Sequence, residues 1–437
     1  MRCFFPTRDM HRKERSGDKR DMDASAPEYV VGLDLGSEHV RCLIAEMGDS
    51  DQLKIVGIGE SQTSGFRRGE VTDLQQGAAD VATAVRRAEE NASVEVETLF
   101  VGVGSCHTRG FNSRGCIPVT SENRLIGEAD RLKALTAAES VFLPNERQVI
   151  SAVPQRYCLD HLCSVNNPVG MTAMQLEAEV HLVTDTAAMM SNLAKCIEET
   201  DYRAEDFVFQ PLATAREVLT DDERELGVIL VDIGSWSTDV AFFSSGVPRH
   251  SQILPVGGHH VTNDIALGLN ISLQEAERVK LELASASLVG MSREERDRTF
   301  EAGRMDGQSV EELSVGDLVE IVEFRIDDIF SLIKRGLEQA GMDHYPRAGV
   351  VLTGGTARLS GILRKARDAF NTPVRLGKPQ ILSEMEGVSG NPELSAAVGL
   401  LSEGVLRRRK EMQERQARGG VLARTAEWIG SWIRNTF

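Results

Sequence analysis

Three short segments in which an apolar strand ends at a glycine constrain the fold of this chain more than any other feature. They span residues 32–37 (GLDLGS), 230–235 (LVDIGS) and 351–356 (VLTGGT). Glycine at such a turn lets backbone N–H groups approach an anion closely, because no Cβ stands in the way. The last residue of each segment, a Ser or Thr, adds a hydroxyl donor. The three segments therefore predict loops that hold phosphate groups.

The first two segments also carry an aspartate two residues before the glycine. Asp34 and Asp232 would repel phosphate directly, so they favour a site in which a divalent cation lies between carboxylate and phosphate. Mg²⁺, which keeps much of its water shell, fits this position. One Asp-x-Gly turn is most often only a tight turn. Two copies about 200 residues apart, followed about 120 residues later by a Gly-Gly loop, are a far more specific pattern.

The composition excludes several other classes of protein. Apolar residues make up 41% of the 437 residues and charged residues 26%, as in soluble globular proteins. The 49 Lys and Arg residues against 66 Asp and Glu residues give a net charge of −17, which argues against a nucleic-acid partner. The seven cysteines form no CxxC pair, which argues against a structural zinc site or a disulfide framework and favours a reducing cytoplasm. We find no signal peptide and no apolar run of the ~18 residues that a membrane span needs.

The end of the chain has a different character. Residues 407–437 carry eight basic and three acidic side chains, a net charge of +5 on an acidic protein. Trp428 and Trp432 are typical of membrane interfaces. A helix over 421–437, about 25 Å long, would be an interfacial anchor on an anionic membrane. The alternative is a terminal helix packed on the body, which the charged linker over 403–420 disfavours. Helical spacing puts these apolar side chains on one side: Leu422, Ala426, Ile429, Trp432, Ile433 and Phe437.

The rest of the chain alternates runs typical of strands with helical spacing. Residues 1–27 are polar and predict a disordered extension. The region over 262–341 is predicted to be mostly helical. Strands are predicted over 30–35, 39–47, 53–59, 99–103, 115–120, 148–159, 178–184, 206–210, 227–233, 239–243, 249–255 and 350–353, and helices over 74–91, 128–140 and 186–199.

The three glycine loops together resemble the actin-like ATPase superfamily, which includes actin, sugar kinases, chaperone ATPase domains and MreB. Four further segments narrow the resemblance to the bacterial FtsA family: NPVGM (167–171), VHLVT (180–184), LTDDERELG (219–227) and AAVGLL (396–401). The resemblance covers about residues 29–402 and the terminal helix.

This resemblance implies an α/β fold, the actin-like (ribonuclease H-like) two-domain ATPase fold, with a relocated inserted subdomain and a C-terminal amphipathic helix. The implied subdomains are 1A over 28–95, 178–210 and 392–402, the inserted 1C over 96–177, 2A over 211–258 and 331–391, and 2B over 259–330.

The resemblance also implies roles for single residues around ATP and Mg²⁺. Gln210 would orient the attacking water and act with Asp232 in catalysis, unless it is only a strand-end residue before Pro211. Glu277 and Lys280, three apart on one helix face, would contact ribose and adenine, although a solvated ion pair is equally expected. The phosphates and the metal would lie among Asp34, Gly36, Ser37, Asp232, Gly234, Ser235, Gly257 and Gly258, with both aspartates near the metal, and adenosine beside Gly354, Gly355 and Arg358.

Two positions depart from the family pattern. His39 stands where many relatives carry a phosphate-contacting lysine, and Trp236 stands where they carry a small glycine. Both changes affect hydrolysis more than nucleotide binding, so slow or absent ATPase activity is expected.

An FtsA-like chain is expected to polymerise, to contact other division proteins through its insert, and to tether the tubulin-like GTPase FtsZ to the cytoplasmic face of the inner membrane at the division site. The FtsZ C-terminal peptide would bind within 259–330, where Arg325 follows Phe324 in a stretch similar to Glu-Pro-Arg of the family; the alternative is an Arg325 paired with Asp328. A small-molecule kinase of the same fold competes with this function, but has no use for an interfacial tail. A chaperone-type ATPase would need a substrate domain after the core.

Overall fold

The structure is a computed structural model that describes residues 28–48, 53–160, 162–305, 309–342, 346–380 and 387–413. The predicted extension over 1–27 and the predicted amphipathic helix over 421–437 lie outside the described residues. None of the helices within these ranges has the length and apolar composition of a membrane span.

The first part of the chain forms a sheet and a covering helix. Helix α1 is capped by Asp73, whose carboxylate accepts from the Gln76 N–H, and its buried face carries Val81 and Val85. The elements are β1 (Glu28–Leu35), β2 (His39–Met47), β3 (Leu53–Gln62), β4 (Phe66–Arg67), β5 (Glu70–Val71), α1 (Leu74–Ala92) and β6 (Thr98–Val103).

The next segment is a separate antiparallel sheet with strand order β7-β10-β8-β9. Its strands and helix are β7 (Arg109–Pro118), α2 (Glu128–Glu139), β8 (Arg147–Leu159), β9 (Leu162–Val165) and β10 (Gln175–Thr186). The predicted bounds of the insert, 96–177, are therefore displaced, because β6 belongs to the first sheet and β10 to the inserted one. Cys158 and Cys163, paired across β8 and β9, form a disulfide, which the sequence argument against disulfides did not foresee.

The second half repeats the pattern of the first. It contains α3 (Ala187–Glu198), β11 (Arg203–Phe209), α4 (Gln210–Val218), α5 (Asp221–Leu226), β12 (Val228–Ile233), β13 (Thr238–Ser244), β14 (Val247–Leu254), α6 (Gly258–Leu269), α7 (Leu273–Leu283), α8 (Arg293–Arg296), β15 (Thr299–Gly303), β16 (Val310–Ser314), α9 (Val315–Gln339), β17 (Val350–Thr353), a 3₁₀ turn (Gly355–Arg358), α10 (Ile362–Phe370), β18 (Val374–Leu376), a second 3₁₀ turn (Pro392–Leu394) and helix α11 over 395–413.

Two five-stranded sheets share one topology. Their orders are β3-β2-β1-β6-β11 and β14-β13-β12-β17-β18. In each sheet the first three strands are antiparallel and the last two join in parallel. We call the domain around the first sheet lobe 1 and the domain around the second lobe 2. In both sheets, the aspartate lies near the end of the central strand, β1 or β12, and the glycine turn follows that strand. The repeated topology therefore places equivalent loops between the lobes.

Two regions differ from their sequence predictions. The region predicted as mostly helical contains the β15–β16 hairpin between α8 and α9. The charged linker predicted over 403–420 is helical over its described part, as the end of α11. Leu401 and Val405 are buried in the core of lobe 1, and Arg408 pairs with Glu205 through its Nη2 at 2.5 Å. The arginines at 407–409 therefore bind residues of lobe 1 and are not part of a solvated linker.

Candidate functional site

The turn after β1 is held in a fixed shape by contacts from three directions. A Cβ on Gly36 would lie 2.5 Å from a carbonyl oxygen of the following strand, so only glycine fits there. The hydroxyl of Ser37 accepts a hydrogen bond from the backbone N–H of Arg68 at 2.8 Å. Asp34 is buried, and its Oδ1 accepts from Nε2 of Gln210 at 2.8 Å. The structure thus joins the predicted Asp34 and Gln210 in one contact.

The equivalent turn after β12 is built together with the start of helix α6. The N–H of Gly258 donates to the carbonyl of Gly234 at 2.9 Å, and the N–H of His259 donates to the carbonyl of Ser235 at 2.7 Å. A Cβ on Gly257 would lie 2.5 Å from the Gly234 oxygen, which explains the glycine pair in the sequence. The predicted second clamp and the predicted glycine pair therefore form a single unit at a helix N-terminus.

The third glycine loop meets the second one. Gly354 has a φ of +85°, and a Cβ there would lie 2.3 Å from Oδ1 of Asp232. The hydroxyl of Thr356, in the 3₁₀ turn that follows, donates to the carbonyl of Gly234 at 3.1 Å. Two of the three loops recognised in the sequence are therefore in direct contact, although more than 100 residues separate them.

Three aspartates interact across the cleft between the lobes. Burial, and secondly the charge of Asp34, raise the pKa of Asp232 to about 7, against the opposing effect of Arg41. Burial also raises the pKa of Asp34, while Arg41 and the hydrogen bond from Gln210 lower it. Burial and the other two aspartates raise the pKa of Asp239 well above its usual value. The two predicted metal residues thus interact electrostatically, and Asp239 interacts with both.

Among the described residues, the oxygens of these three aspartates do not all lie within 4.8 Å of one another, so they suit a divalent cation held through its water shell. Oδ1 of Asp239 is buried and has no hydrogen-bond partner in the described part of the chain. Carboxylate oxygens are the ligands that Mg²⁺ prefers, and a cation would favour the charged carboxylates that burial, and secondly mutual repulsion, disfavour. Sequence reasoning missed Asp239, although its position in the hairpin was a usable signal, because it is the cross-strand partner of Asp232.

Trp236 fills the second turn and reaches the other lobe. Its ring stacks on His259 with centroids 4.0 Å apart and meets His260 edge-on at 5.8 Å. The guanidinium carbons of Arg67 and Arg68, in lobe 1, lie 4.6 and 5.7 Å from the ring centre. Burial lowers the pKa of both histidines, so both contact Trp236 as neutral imidazoles at neutral pH. None of these four neighbours was foreseen from the sequence.

The predicted ribose and adenine pair, Glu277 and Lys280, is an ion pair that also binds helix α6. The Lys280 Nζ and Glu277 Oε2 atoms are 2.7 Å apart. Both contact the Thr262 hydroxyl, at 2.9 and 2.6 Å, and Nζ lies 3.4 Å from the Gly258 carbonyl. The pair therefore lies next to the glycine pair and is not simply solvated.

Two other predicted residues have acidic partners. Nδ1 of His39 lies 3.5 Å from Glu60, which also binds Arg41 at 3.1 Å. Nη1 of Arg358 lies 2.5 Å from Glu393, which binds the same Arg41 at 3.5 Å. Arg41, another residue that the sequence reasoning missed, therefore links strand β2 to the turn before α11.

The predicted partner-binding residue Arg325 lies away from the cleft, on helix α9. Its Nε and Nη2 atoms bind the two carboxylate oxygens of Asp264, on α6, at 2.5 and 2.9 Å. Asp328, the partner expected in the alternative interpretation, is farther away at 3.5 Å. The side chain before it, Phe324, is 70% exposed. The residues predicted to contact the membrane, within 421–437, lie outside the described residues.

Comparison with known proteins identifies the family. The family model "Cell division protein FtsA" matches residues 229–399, and "SHS2 domain inserted in FTSA" matches residues 105–184. Cell division protein FtsA of Pseudomonas aeruginosa is 34% identical over 413 residues, which are 92% of this chain and 97% of that protein. The chain belongs to the FtsA family. The Escherichia coli (strain K12) FtsA is 31% identical over 95% of this chain and 99% of its own length.

Solved structures confirm the predicted fold of this FtsA-family protein. The structure titled "PilM-PilN type IV pilus biogenesis complex" matches with a TM-score of 0.62 at 16% identity, over 86% of this chain and 98% of its own. MreB5 of Spiroplasma citri bound to ADP matches with a TM-score of 0.52 at 14% identity, over 85% and 94%. Both the FtsA resemblance and the actin-like fold with an inserted subdomain are thus confirmed, and the matched insert, 105–184, agrees with the corrected bounds.

Proposed function

We propose that this FtsA-family protein binds ATP with Mg²⁺ between its lobes, polymerises, and tethers FtsZ to the cytoplasmic face of the inner membrane at the division site. The observation that carries the nucleotide part is the meeting of the glycine loops around Asp34, Asp232 and Asp239. Family membership carries the cell-division part.

The cleft residues have distinct places around the nucleotide in this proposal. Asp34, Asp232 and Asp239 hold Mg²⁺ through water, and the metal offsets the charge of the phosphates. The turns at Gly36–Ser37 and Gly234–Ser235 face the phosphates. The side of the cleft with Gly354, Gly355, Arg358, Glu277 and Lys280 receives adenosine. MreB5 of Spiroplasma citri, which shares the fold, has been solved with ADP and with AMPPNP, and this supports a nucleotide in the same cleft.

Hydrolysis is expected to be slow. Gln210 donates to Asp34, His39 pairs with Glu60, and the ring of Trp236 occupies a turn that is glycine in many relatives. The phosphate turn of lobe 1 has His39 at the position where many relatives carry a phosphate-contacting lysine. A turnover comparable to that of a kinase, on the order of 10 s⁻¹, would favour the competing small-molecule kinase.

FtsZ is proposed to bind the face of α9 around Phe324. An acidic FtsZ C-terminal peptide would place its apolar side chains on this exposed ring and a carboxylate near Arg325, in exchange with Asp264. Arg325→Glu should then weaken peptide binding at least tenfold in a fluorescence polarisation assay. The matched control is Arg335→Glu, an exposed arginine on the same helix. Equal losses in both variants would show a nonspecific charge effect and place the peptide elsewhere.

Membrane tethering is proposed for the helix over 421–437, and its binding is marginal for one copy. Half burial of an apolar side chain contributes about 1 kcal/mol, and ordering the helix costs about 1 kcal/mol per residue before hydrogen bonds form. Basic residues add up to ~1 kcal/mol each near an anionic surface. Polymerisation, with the insert contacting the next protomer, would raise the effective concentration of the remaining tails.

A pelleting experiment tests the whole proposal. FtsZ should pellet with anionic vesicles only when the full chain and ATP are present. Deletion of 421–437, or Trp432→Glu, should leave FtsZ in the supernatant, while neither changes nucleotide binding. Pelleting of FtsZ by the deletion variant would contradict tethering through the tail. Tight, salt-insensitive binding by a strictly monomeric form would contradict the need for several tails.

A further inference from the structure

A cluster of three side chains lies where lobe 1 joins the insert, outside the nucleotide cleft. Nε2 of His107 is 3.0 Å from Oε1 of Glu70, and Sγ of Cys106 is 3.7 Å from the same oxygen. The ligand atoms of all three lie within 4.8 Å of one another, as in no other such group found among the described residues. We propose that Glu70, Cys106 and His107 bind a divalent transition metal, with Zn²⁺ the ion that fits best.

The backbone brings this cluster together. Gly69 has a φ of +77°, and a Cβ there would lie 1.8 Å from the carbonyl oxygen of Gly104. No side chain fits at this crossing, so the turn before β5 lies directly on the loop that enters the insert. Glu70, which follows Gly69, is therefore next to Cys106. The cluster is a consequence of this crossing and does not depend on flexible side chains from distant elements.

A network of buried hydrogen bonds holds the loop that carries Cys106 and His107. Asp185 is fully buried, and its carboxylate accepts hydrogen bonds from the hydroxyls of Ser105 and Thr108. The Ser105 hydroxyl in turn accepts from the backbone N–H of His107 at 3.1 Å. Outer contacts that orient the ligands in advance lower the cost of metal binding. The loop thus holds both ligands in place before a metal arrives.

The donor atoms select the metal. Thiolate, imidazole and carboxylate together suit Zn²⁺ and related ions, whereas Mg²⁺ takes oxygen ligands. Metal–ligand bonds of about 2.0 to 2.3 Å in a tetrahedron separate neighbouring ligands by roughly 3.3 to 3.7 Å. The Cys106–Glu70 distance of 3.7 Å lies in this range, and the His107–Glu70 distance of 3.0 Å, now a direct contact, would lengthen slightly around the ion. His107 is exposed, which leaves a fourth position for water or for a partner. The site is therefore chemically distinct from the proposed magnesium site.

Nearby arginines do not prevent this binding. Arg109 donates to the Cys106 carbonyl and Arg147 to the His107 carbonyl, each at 3.0 Å. A site with one thiolate, one carboxylate and one divalent ion carries no net charge, so it does not repel these guanidinium groups. The metal would close a link between β5 of lobe 1 and the first loop of the insert, and would stiffen the joint between them.

Cobalt titration of the full chain tests this proposal, because thiolate-bound Co²⁺ absorbs in the near ultraviolet and tetrahedral Co²⁺ in the visible. The parent protein, kept reduced by a phosphine, should bind one equivalent of Co²⁺ with both bands, and Zn²⁺ should remove them. Cys106→Ser should abolish the ultraviolet band, and Glu70→Gln and His107→Ala should each weaken affinity at least tenfold. Circular dichroism confirms that each variant is folded.

Other cysteines provide the matched controls. Cys116 is exposed and free, and Cys158 and Cys163 would be adjacent thiols after reduction. Cys116→Ser and the double variant Cys158→Ser, Cys163→Ser should keep the bands. A band that survives Cys106→Ser, or that is lost in either control, would overturn the proposal, as would the absence of any thiolate band in the parent. None of these readouts involves nucleotide, so the result is independent of the proposed ATP site.

Discussion

The hairpins that begin the two sheets have the same topology but opposite charge at one position. In lobe 1, Asp34 on β1 is the cross-strand partner of Arg41 on β2. In lobe 2, the equivalent position opposite Asp232 is Asp239. The acid of lobe 1 therefore has a cation within the protein, whereas lobe 2 places two acids together. The same hairpin topology therefore places a cation beside the acid in lobe 1 and a second acid beside it in lobe 2.

This difference explains why the pKa values of the buried aspartates differ between the lobes. Arg41 lowers the pKa of Asp34 against the effect of burial, and it is itself held by Glu60 and Glu393. In the described part of the chain no cation pairs with Asp239, and burial together with the other two aspartates raises its pKa well above the usual value. Arg41 thus partly compensates the charge of Asp34 in lobe 1, and in our proposal a bound cation would do the same for the acids of lobe 2. In the function proposed above, a metal–nucleotide complex would complete this cleft.

The largest expected effect comes from a histidine whose pH dependence opposes that of the lobe 2 acids. His181 is fully buried between the insert and β14, and burial lowers its pKa to about 4. Between pH 6.5, the ordinary pKa of histidine, and pH 4, the unfolded chain binds a proton at His181 and the folded chain does not. The free energy of unfolding therefore falls as the pH falls, by about 3 kcal/mol in total. His181→Gln should remove this loss in urea unfolding between pH 7 and pH 4.

With the His181 contribution removed, the pH dependence of stability due to Asp232 and Asp34 could be measured directly. If His181→Gln lost as much stability toward low pH as the parent, another group would dominate the pH dependence. The acids of the two lobes would then have to be compared in a variant that lacks that other group. The Gln side chain keeps polar contact with Ser251, whose hydroxyl lies 2.9 Å from His181 Nε2, so folding is expected to survive.

The next effect concerns Asp232 in the protein without nucleotide. The pKa of Asp232 is raised from 3.8 to about 7, so the folded state keeps a proton that the unfolded state loses above pH 4. Its contribution to stability is complete below pH 4 and is lost as pH rises to about 7. The full shift corresponds to about 4 kcal/mol, and water in the open cleft reduces this to about 2 kcal/mol. Asp232→Asn should therefore gain stability relative to the parent as pH rises.

Measurement in the His181→Gln background checks this sign. The equivalent change in lobe 1, Asp34→Asn, is the matched control and should show a smaller gain, because Arg41 already favours the charged form of Asp34. Equal gains in both variants would contradict the electrostatic difference between the lobes.

Exchange of the cross-strand partners tests the comparison directly. Arg41→Met should cost about 2 kcal/mol, because it leaves Glu60, Glu393 and Asp34 without their shared cation. Asp239→Asn should cost little or nothing in the absence of nucleotide, since this side chain has an unpaired buried oxygen. Thermal unfolding at pH 7 without Mg²⁺ measures both. A larger loss in Asp239→Asn than in Arg41→Met would reverse the assignment.

A smaller loss of stability than that of Arg41→Met is expected at Trp236, the residue that fills the lobe 2 turn. Trp236→Gly removes the stack on His259 and the contact with Arg67, and should cost about 1 kcal/mol. Trp236→Phe keeps an aromatic ring and should lose less. Phosphate release should rise several-fold in the glycine variant, because the turn regains its freedom to approach phosphate. Unchanged turnover would assign the slow hydrolysis to His39 instead.

The sequence was sufficient for features that are local in the chain. The strands before Asp34 and Asp232, and the glycine turns after them, follow from apolar runs and turn residues, and the structure has them at the predicted places. The glycine pair before α6 was equally visible. These signals need no knowledge of what lies opposite, and they carried the family resemblance that implied the two-lobed fold.

Features that depend on which residues face each other, across a hairpin or between the lobes, were missed. The roles of Arg41 and Asp239 depend on strand register, and the ring of Trp236 meets Arg67 only because two lobes face each other. The charged residues of 403–413 read as a linker, since their acidic partners, such as Glu205 for Arg408, lie about 200 residues earlier. A charge pattern alone does not tell solvated residues from paired ones.

Binding of a fluorescent ATP analogue with and without Mg²⁺ tests the central claim most directly. For the parent protein, Mg²⁺ should tighten binding strongly, because the cation compensates Asp232 and Asp239 together. Asp232→Ala should lose this Mg²⁺-dependent binding while its circular dichroism spectrum stays that of the parent, and Asp239→Asn should retain only a weak Mg²⁺ effect. Equal affinity in the parent and in a folded Asp232→Ala protein, with Mg²⁺ present, would contradict a nucleotide site completed by the acids of lobe 2.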